Sequence, residues 1–214
     1  MRARRRVSAV VLLALTMVVG LVLPASAHSP KPHPAGTASL AALLARDGAG
    51  FDRSWNDYDI VDNAVTAVLT AKPGSPVAVL ADGSTALTAF LPNDRAFRRL
   101  AEDLTGKHYR KESAVFTDLA SALGVDTIES VLLYHVVPGA TVTYRQARRA
   151  NGATLATALP DATLTVRVYR HRLVSLRDAD PDAENAFVVQ PDLNRGNRQI
   201  AHGISQVLRP VDLP

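Results

Sequence analysis

The stretch SVLLYHVVPG, Ser130 to Gly139, sets Tyr134 and His135 side by side in an apolar run that ends in Pro-Gly. Imidazole titrates nearer neutral pH than any other unperturbed side chain, so a histidine here invites a role as base, ligand or contact. Two readings stay open from these residues. A strand starting near Tyr134 would send Tyr134 and Val136 to one face and His135 and Val137 to the other, leaving a ring free to meet a partner. Alternatively, His135 is a core residue whose ring nitrogens bond backbone groups and fix the corner before Pro138-Gly139. A buried polar ring left unpaired costs about 1 to 3 kcal/mol, which favours such pairing.

Three other constellations could do chemistry. If a leader ends at Ala27, His28 becomes the first residue, and an amino group beside an imidazole is a nitrogen pair of the kind copper prefers. That is the exported copper-dependent enzyme. Against it, Pro30, Pro32 and Pro34 put His28 on a tail with nothing to hold a second histidine opposite. Serines, histidines and aspartates are present without a G-x-S-x-G elbow, H-E-x-x-H, P-loop or C-x-x-C, and GAGFDR at Gly48 lacks the third glycine of a dinucleotide loop. No catalytic residue, metal site or cofactor is expected. Finally, RVYRHRLVSLR carries Arg167, Arg170, Arg172 and Arg177 in strand-like sequence. Arginines so placed could meet acidic wall polymers or glycans, or could simply protect a strand from edge pairing. Asp178, Asp180, Asp182 and Glu184 follow and could neutralise them.

The elements that must position these residues follow a leader and a tail. Residues 1 to 27 read as an export signal: Arg2, Arg4, Arg5 and Arg6, then Val7 to Leu23, then Ala25-Ser26-Ala27. About 17 apolar residues are short of the roughly 20 that span a membrane, so cleavage is expected and no membrane association after it. The formal charge of +4 belongs to that leader, because its four arginines depart with no acid. The remainder is balanced, which gives no electrostatic case for nucleic acid. No cysteine is present, so an exported domain must rely on its core. Residues 28 to 38 form a proline-rich, solvated tail, and 39 to 214 suffice for one domain.

Helices crowd the first half of that domain. SLAALLARDG is a short helix stopped by Gly48; Ile60, Val61, Ala64, Val65, Val68 and Leu69 mark a second, with Asp57 or Asp59 as cap. PNDRAFRRLAEDLTG is the clearest, with Asn93 as N-cap and Gly106 at its end. Thr127 to Leu133 makes another. Two strands are expected in PVAVLADGSTALTAFL, joined near Asp82-Gly83. YHVVPGATVT, ATLATAL, ATLTVRVYRHRLVSL and AFVVQ supply more, separated by Asn151-Gly152, Pro160-Asp161 and Asp180-Pro181-Asp182. The class is α+β, with helices to one side or end of a mostly antiparallel sheet.

Three segments carry a family resemblance. TAFLPNDRAF (Thr88 to Phe97), LLYHVVPG (Leu132 to Gly139) and HGISQVLRPVDLP at the C-terminus resemble, in the same order, the signature segments of fasciclin domains. The resemblance spans roughly Ser39 to Pro214. It implies a fasciclin-like β-sandwich or wedge with a layer of helices. It also implies a secreted, extracellular or wall-associated adhesion module that binds an extracellular protein or a cell-wall or matrix glycan. The contact proposed for animal members falls on Tyr134 and His135. Two positions depart from the family pattern: Gln206 stands where a histidine is usual, and Arg209 where an acid is frequent. A purely structural extracellular protein is the other reading, and the arginine- and alanine-rich composition suggests a bacterial source.

Overall fold

The computed structural model describes residues 35–211, apart from 47, 49 and 171. The expected leader, His28 and the tail up to residue 34 lie outside the described residues. The chain then enters α1 (Leu40–Leu44), where Ser39 Oγ accepts the N–H of Ala42. The apolar rows foreseen for α2 (Asp59–Ala71) are buried at Ile60, Val61, Ala64, Val65 and Val68. Its cap differs from expectation. Asp59 is the first helical residue, the cap residue Tyr58 makes no side-chain capping bond, and the acceptors come from Asp94, far along the chain.

Pro76–Ala81, expected as a strand, is a 3₁₀ helix. Pro76 lacks a ladder N–H and sits in the first turn, while Ser75 Oγ accepts the N–H of Val77, so local turn chemistry prevails. The partner strand does form, as β1 (Leu87–Pro92). Asn93 caps α3 (Asp94–Thr105) by accepting the N–H of Ala96 at 3.0 Å, and Gly106 ends it at φ 67°. The segment foreseen at Thr127–Leu133 is the second half of α4 (Glu112–Tyr134), which breaks at Gly124, where φ is 71° and ψ 165°. Helix α4 continues through Tyr134, and His135 is its cap. Strand alternation therefore does not apply to either residue; β2 (Val136–Pro138) begins just after them.

Beyond α5 (Tyr144–Ala147) come β3 (Thr154–Ala156), β4 (Thr163–Tyr169), β5 (Leu173–Arg177), β6 (Ala186–Leu193) and β7 (Gln199–Ile204). The seven strands form one mixed sheet in the order β2-β1-β7-β6-β5-β4-β3. Every neighbouring pair is antiparallel except β1 with β7. Strands β1 and β7 are buried at every residue, as central strands covered on both faces must be. Leu87, Ala89 and Leu91 of β1 pack with the helices, whereas Phe90 points into a second core with Tyr134, Leu164, Val166, Leu176, Ile204 and Leu208. This is the α+β, wedge-like arrangement that the fasciclin resemblance implies.

Residues 36–38, assigned to the solvated tail by composition, are tied down instead. Gly36 bridges Asn197, the N–H of Ala38 donates to Asn197 Oδ1, and Asn194 Nδ2 donates to Ala38 O. Buried Gln199 completes the seam. Its Oε1 accepts the N–H of Leu40, and its Nε2 donates to the carbonyls of Val79 and Asp82. All of that amide's polar atoms thus have partners, the condition under which a buried amide is tolerated.

Candidate functional site

The three sequence segments singled out above meet at His135. The imidazole Nε2 accepts the backbone N–H of Leu208 at 2.9 Å, which places the ring proton on Nδ1, and Nδ1 donates to Val131 O at 2.7 Å. The carbonyl of His135 accepts the N–H of Phe90 in β1 at 2.9 Å. First, second and third segments are therefore joined through one residue. His135 is 5 % exposed, and burial holds its pKa down to about 4, so the ring is neutral. It borders an apolar cavity of about 60 Å³, but both nitrogens are already engaged and offer that cavity no polar handle.

Tyr134 is 1 % exposed, and its hydroxyl donates to Thr163 O. Burial, reinforced by the Asp178 carboxylate, pushes this phenol up to about 12. A partner in solution can reach neither ring, so the surface contact suggested for Tyr134 and His135 does not fit their placement. Both are braces between a helix end and the sheet.

A second buried histidine went unmarked in the sequence. In β7, His202 takes the opposite tautomer: Nδ1 accepts the N–H of Asp192, and Nε2 donates to Val142 O at 2.8 Å. Its pKa is lowered by burial, and it stacks against Phe90 with ring centroids 5.9 Å apart. A histidine inside the apolar run QIAHGI was the signal that could have found it. Gln206 serves another purpose, donating to Glu184 at the surface.

Strand alternation does hold for the arginine hairpin. Tyr169 pairs with Leu173, Arg167 with Ser175, Ser175 with Phe187, and Thr165 with Arg177, so these side chains share one face of β4, β5 and β6. Tyr169, Leu173, Phe187 and Val189 are 39 to 54 % exposed there, and the Tyr169 and Phe187 rings lie 5.9 Å apart. Arg170 and Arg172 flank the hairpin turn, both exposed, with Arg170 at φ 49°. Two of the acids expected to neutralise them face Arg209 instead. Asp178 accepts the N–H of Arg209, and Asp180 pairs with the Arg209 guanidinium at 3.1 Å. The unusual Arg209 thus clamps the C-terminal segment onto the β5–β6 connection.

A family model for the fasciclin domain matches residues 63–210. The chain belongs to the fasciclin family. Among solved structures, a FAS1 domain pair from the insect cell adhesion molecule Fasciclin I aligns with a TM-score of 0.54 at 14 % identity, over 81 % of this chain and 51 % of that one. The chain thus spans about half of that structure, and at such identity the likeness shows the fold. No curated protein matches. Fasciclin domains are adhesion-type modules in homologues and typically extracellular. Among the described residues of this one, no helix is long and apolar enough to cross a membrane.

Proposed function

We propose that this fasciclin domain is an exported binding module, without catalytic activity, that holds an extracellular protein or an acidic cell-wall or matrix glycan against the outer face of β4, β5 and β6. The observation that carries this reading is the exposed group Tyr169, Leu173, Phe187 and Val189, framed by Arg167, Arg170, Arg172 and Arg177. Solvent-exposed aromatic and aliphatic side chains gathered on one face mark interaction surfaces rather than solvated strands. Guanidinium groups around them add planar, charge-assisted donors suited to carboxylate or phosphate. Tyr134 supports the face from within, through the core that backs β4 and β5.

The test is retention of the purified chain on isolated cell wall and on an acidic polysaccharide, over a salt series. Arg170→Ala with Arg172→Ala should weaken retention and flatten its salt dependence. Phe187→Ala should weaken it at all salt concentrations, with unchanged thermal melting in both variants. Retention that survives all three substitutions would remove this face from the proposal.

A further inference from the structure

Asp59, Asp94 and Glu112 are the first residues of α2, α3 and α4, and these three helix starts converge on the loop that carries Asp52 and Asp57. The arrangement is reciprocal. The Asp94 carboxylate accepts the N–H groups of Asp59 and Ile60 at 3.2 and 3.0 Å, while the N–H groups of Asp94 and Arg95 donate to the carbonyls of Asp57 and Trp55. Glu112 Oε2 accepts the N–H of Asp52 at 2.9 Å.

Helix N-termini favour carboxylates, and those bonds explain part of the cluster. They do not explain all of it. Oxygens of Asp57, Asp94 and Glu112 lie within 4.8 Å of one another. Asp94 is 0 % and Glu112 1 % exposed. Glu112 Oε1 and Asp57 Oδ1 are buried with no hydrogen-bond partner, although the Glu112 side chain is almost wholly enclosed. Among the described residues, no lysine, arginine or histidine forms an ion pair with any of the three.

Buried anionic oxygens that lack donors need either protons or a cation. One proton shared by Asp94 and Asp57 would still leave Glu112 Oε1 buried without a partner. A cation bound by oxygen answers all three at once, since oxygens coordinated at 2.3 to 2.6 Å around one calcium ion lie within about 5 Å of each other. The absence of nitrogen and sulfur donors from the set disfavours softer metals. Magnesium keeps several waters and takes one or two carboxylates, whereas three converge here in a buried place. We propose that Asp57, Asp94 and Glu112 hold a hard divalent cation of the calcium class at the junction of α2, α3 and α4. Asp52, Asp57 and Asp59 form an overlapping acidic trio that runs from exposed to buried, and it supplies the way in.

Trp55, the chain's single tryptophan, lies on the connecting loop between Asp52 and Asp57 and stacks under Arg98, so it reports on the site. The experiment is calcium chloride titration of the chelator-treated full chain, followed by tryptophan emission and thermal melting against sodium chloride of matched ionic strength. Calcium at a hundredfold excess over its dissociation constant should raise Tm by several degrees and shift the Trp55 signal. Glu112→Gln and Asp57→Asn should each abolish both responses. Should Glu112→Gln fail to fold, the half-buried Asp57 variant carries the comparison. A wild-type chain indifferent to calcium overturns the proposal, and a Glu112→Gln chain then melting higher at neutral pH would assign the cluster to shared protons. A calcium response that persists in the variants overturns it too, by placing the ion elsewhere.

Discussion

His135 and Leu208, 73 residues apart in sequence, are joined by a single hydrogen bond from the Leu208 backbone N–H to the imidazole Nε2. The other ring nitrogen holds the last turn of α4 through Val131 O. His135→Ala removes both partners at once inside a closed core. The expected cost is about 2 to 4 kcal/mol, from the Leu208 N–H left unpaired and a lost buried ring, since the Val131 carbonyl keeps the backbone N–H of residue 135. Denaturant melts should show the loss, and His135→Gln, which can keep one of the two bonds, should recover part of it.

That same ring makes stability depend on acid. With a folded-state pKa near 4 and an ordinary value of 6.5, the unfolded chain binds the additional proton between those limits. His135 therefore contributes stability that is complete above about pH 6.5 and is lost as pH falls through 4. Its ring faces the Val131 carbonyl and the Leu208 N–H, and no charged partner is bonded to it. The free-energy gap between wild type and His135→Gln should narrow from pH 7.5 to pH 4 by at most about 3 kcal/mol. A gap that stays constant across that range would show that the ring is not buried neutral.

Capping of α2 by Asp94 should be visible locally. Asp94→Ala leaves the N–H groups of Asp59 and Ile60 without acceptors. Loss of a cap costs about 1 kcal/mol, so exchange of those two amides should quicken roughly fivefold. Global stability is a poorer readout, because the same change relieves crowding with Asp57 and Glu112.

Gly203 is required by its neighbour across the helix layer. A Cβ there would lie 2.1 Å from the Tyr58 hydroxyl, which donates to Gln190, and 2.9 Å from the Gln190 Cβ. Gly203→Ala should cost about 1 to 3 kcal/mol by overpacking. Removing the obstructing oxygen with Tyr58→Phe should make the same alanine cheaper, and a double-mutant cycle measures that coupling.

What could be foreseen was local. Helix α3 announced itself through Asn93, its apolar spacing and Gly106, all within fifteen residues. The strand character of the arginine run followed from its texture, although the turn that splits it into β4 and β5 was not foreseen, and the family followed from three segments in order. The first half of α4 was missed although Val115 and Leu119 mark it at a spacing of four, and Pro76–Ala81 was misassigned because a short apolar run does not declare its period. The rest was out of reach for a different reason. Asp94 caps a helix that begins 35 positions earlier, Asp178 and Asp180 turn toward Arg209 rather than toward the nearer arginines, and His202 is satisfied by Val142 and Asp192. Such bonds depend on which elements become neighbours, and no local pattern encodes that.

The parallel pairing of β1 with β7 bears on how the domain is made. Residues 87–92 lie beside residues 199–204, and β7 separates β1 from β6. The last strand to be synthesised is thus near the middle of the sheet. Until residue 204 is available, neither half of the sheet has its central partner and the two cores share no common wall. The native state must wait for the whole domain to be synthesised, and closure of so long a loop is slow. A chain of this topology completes its sheet only after its last strand has been made.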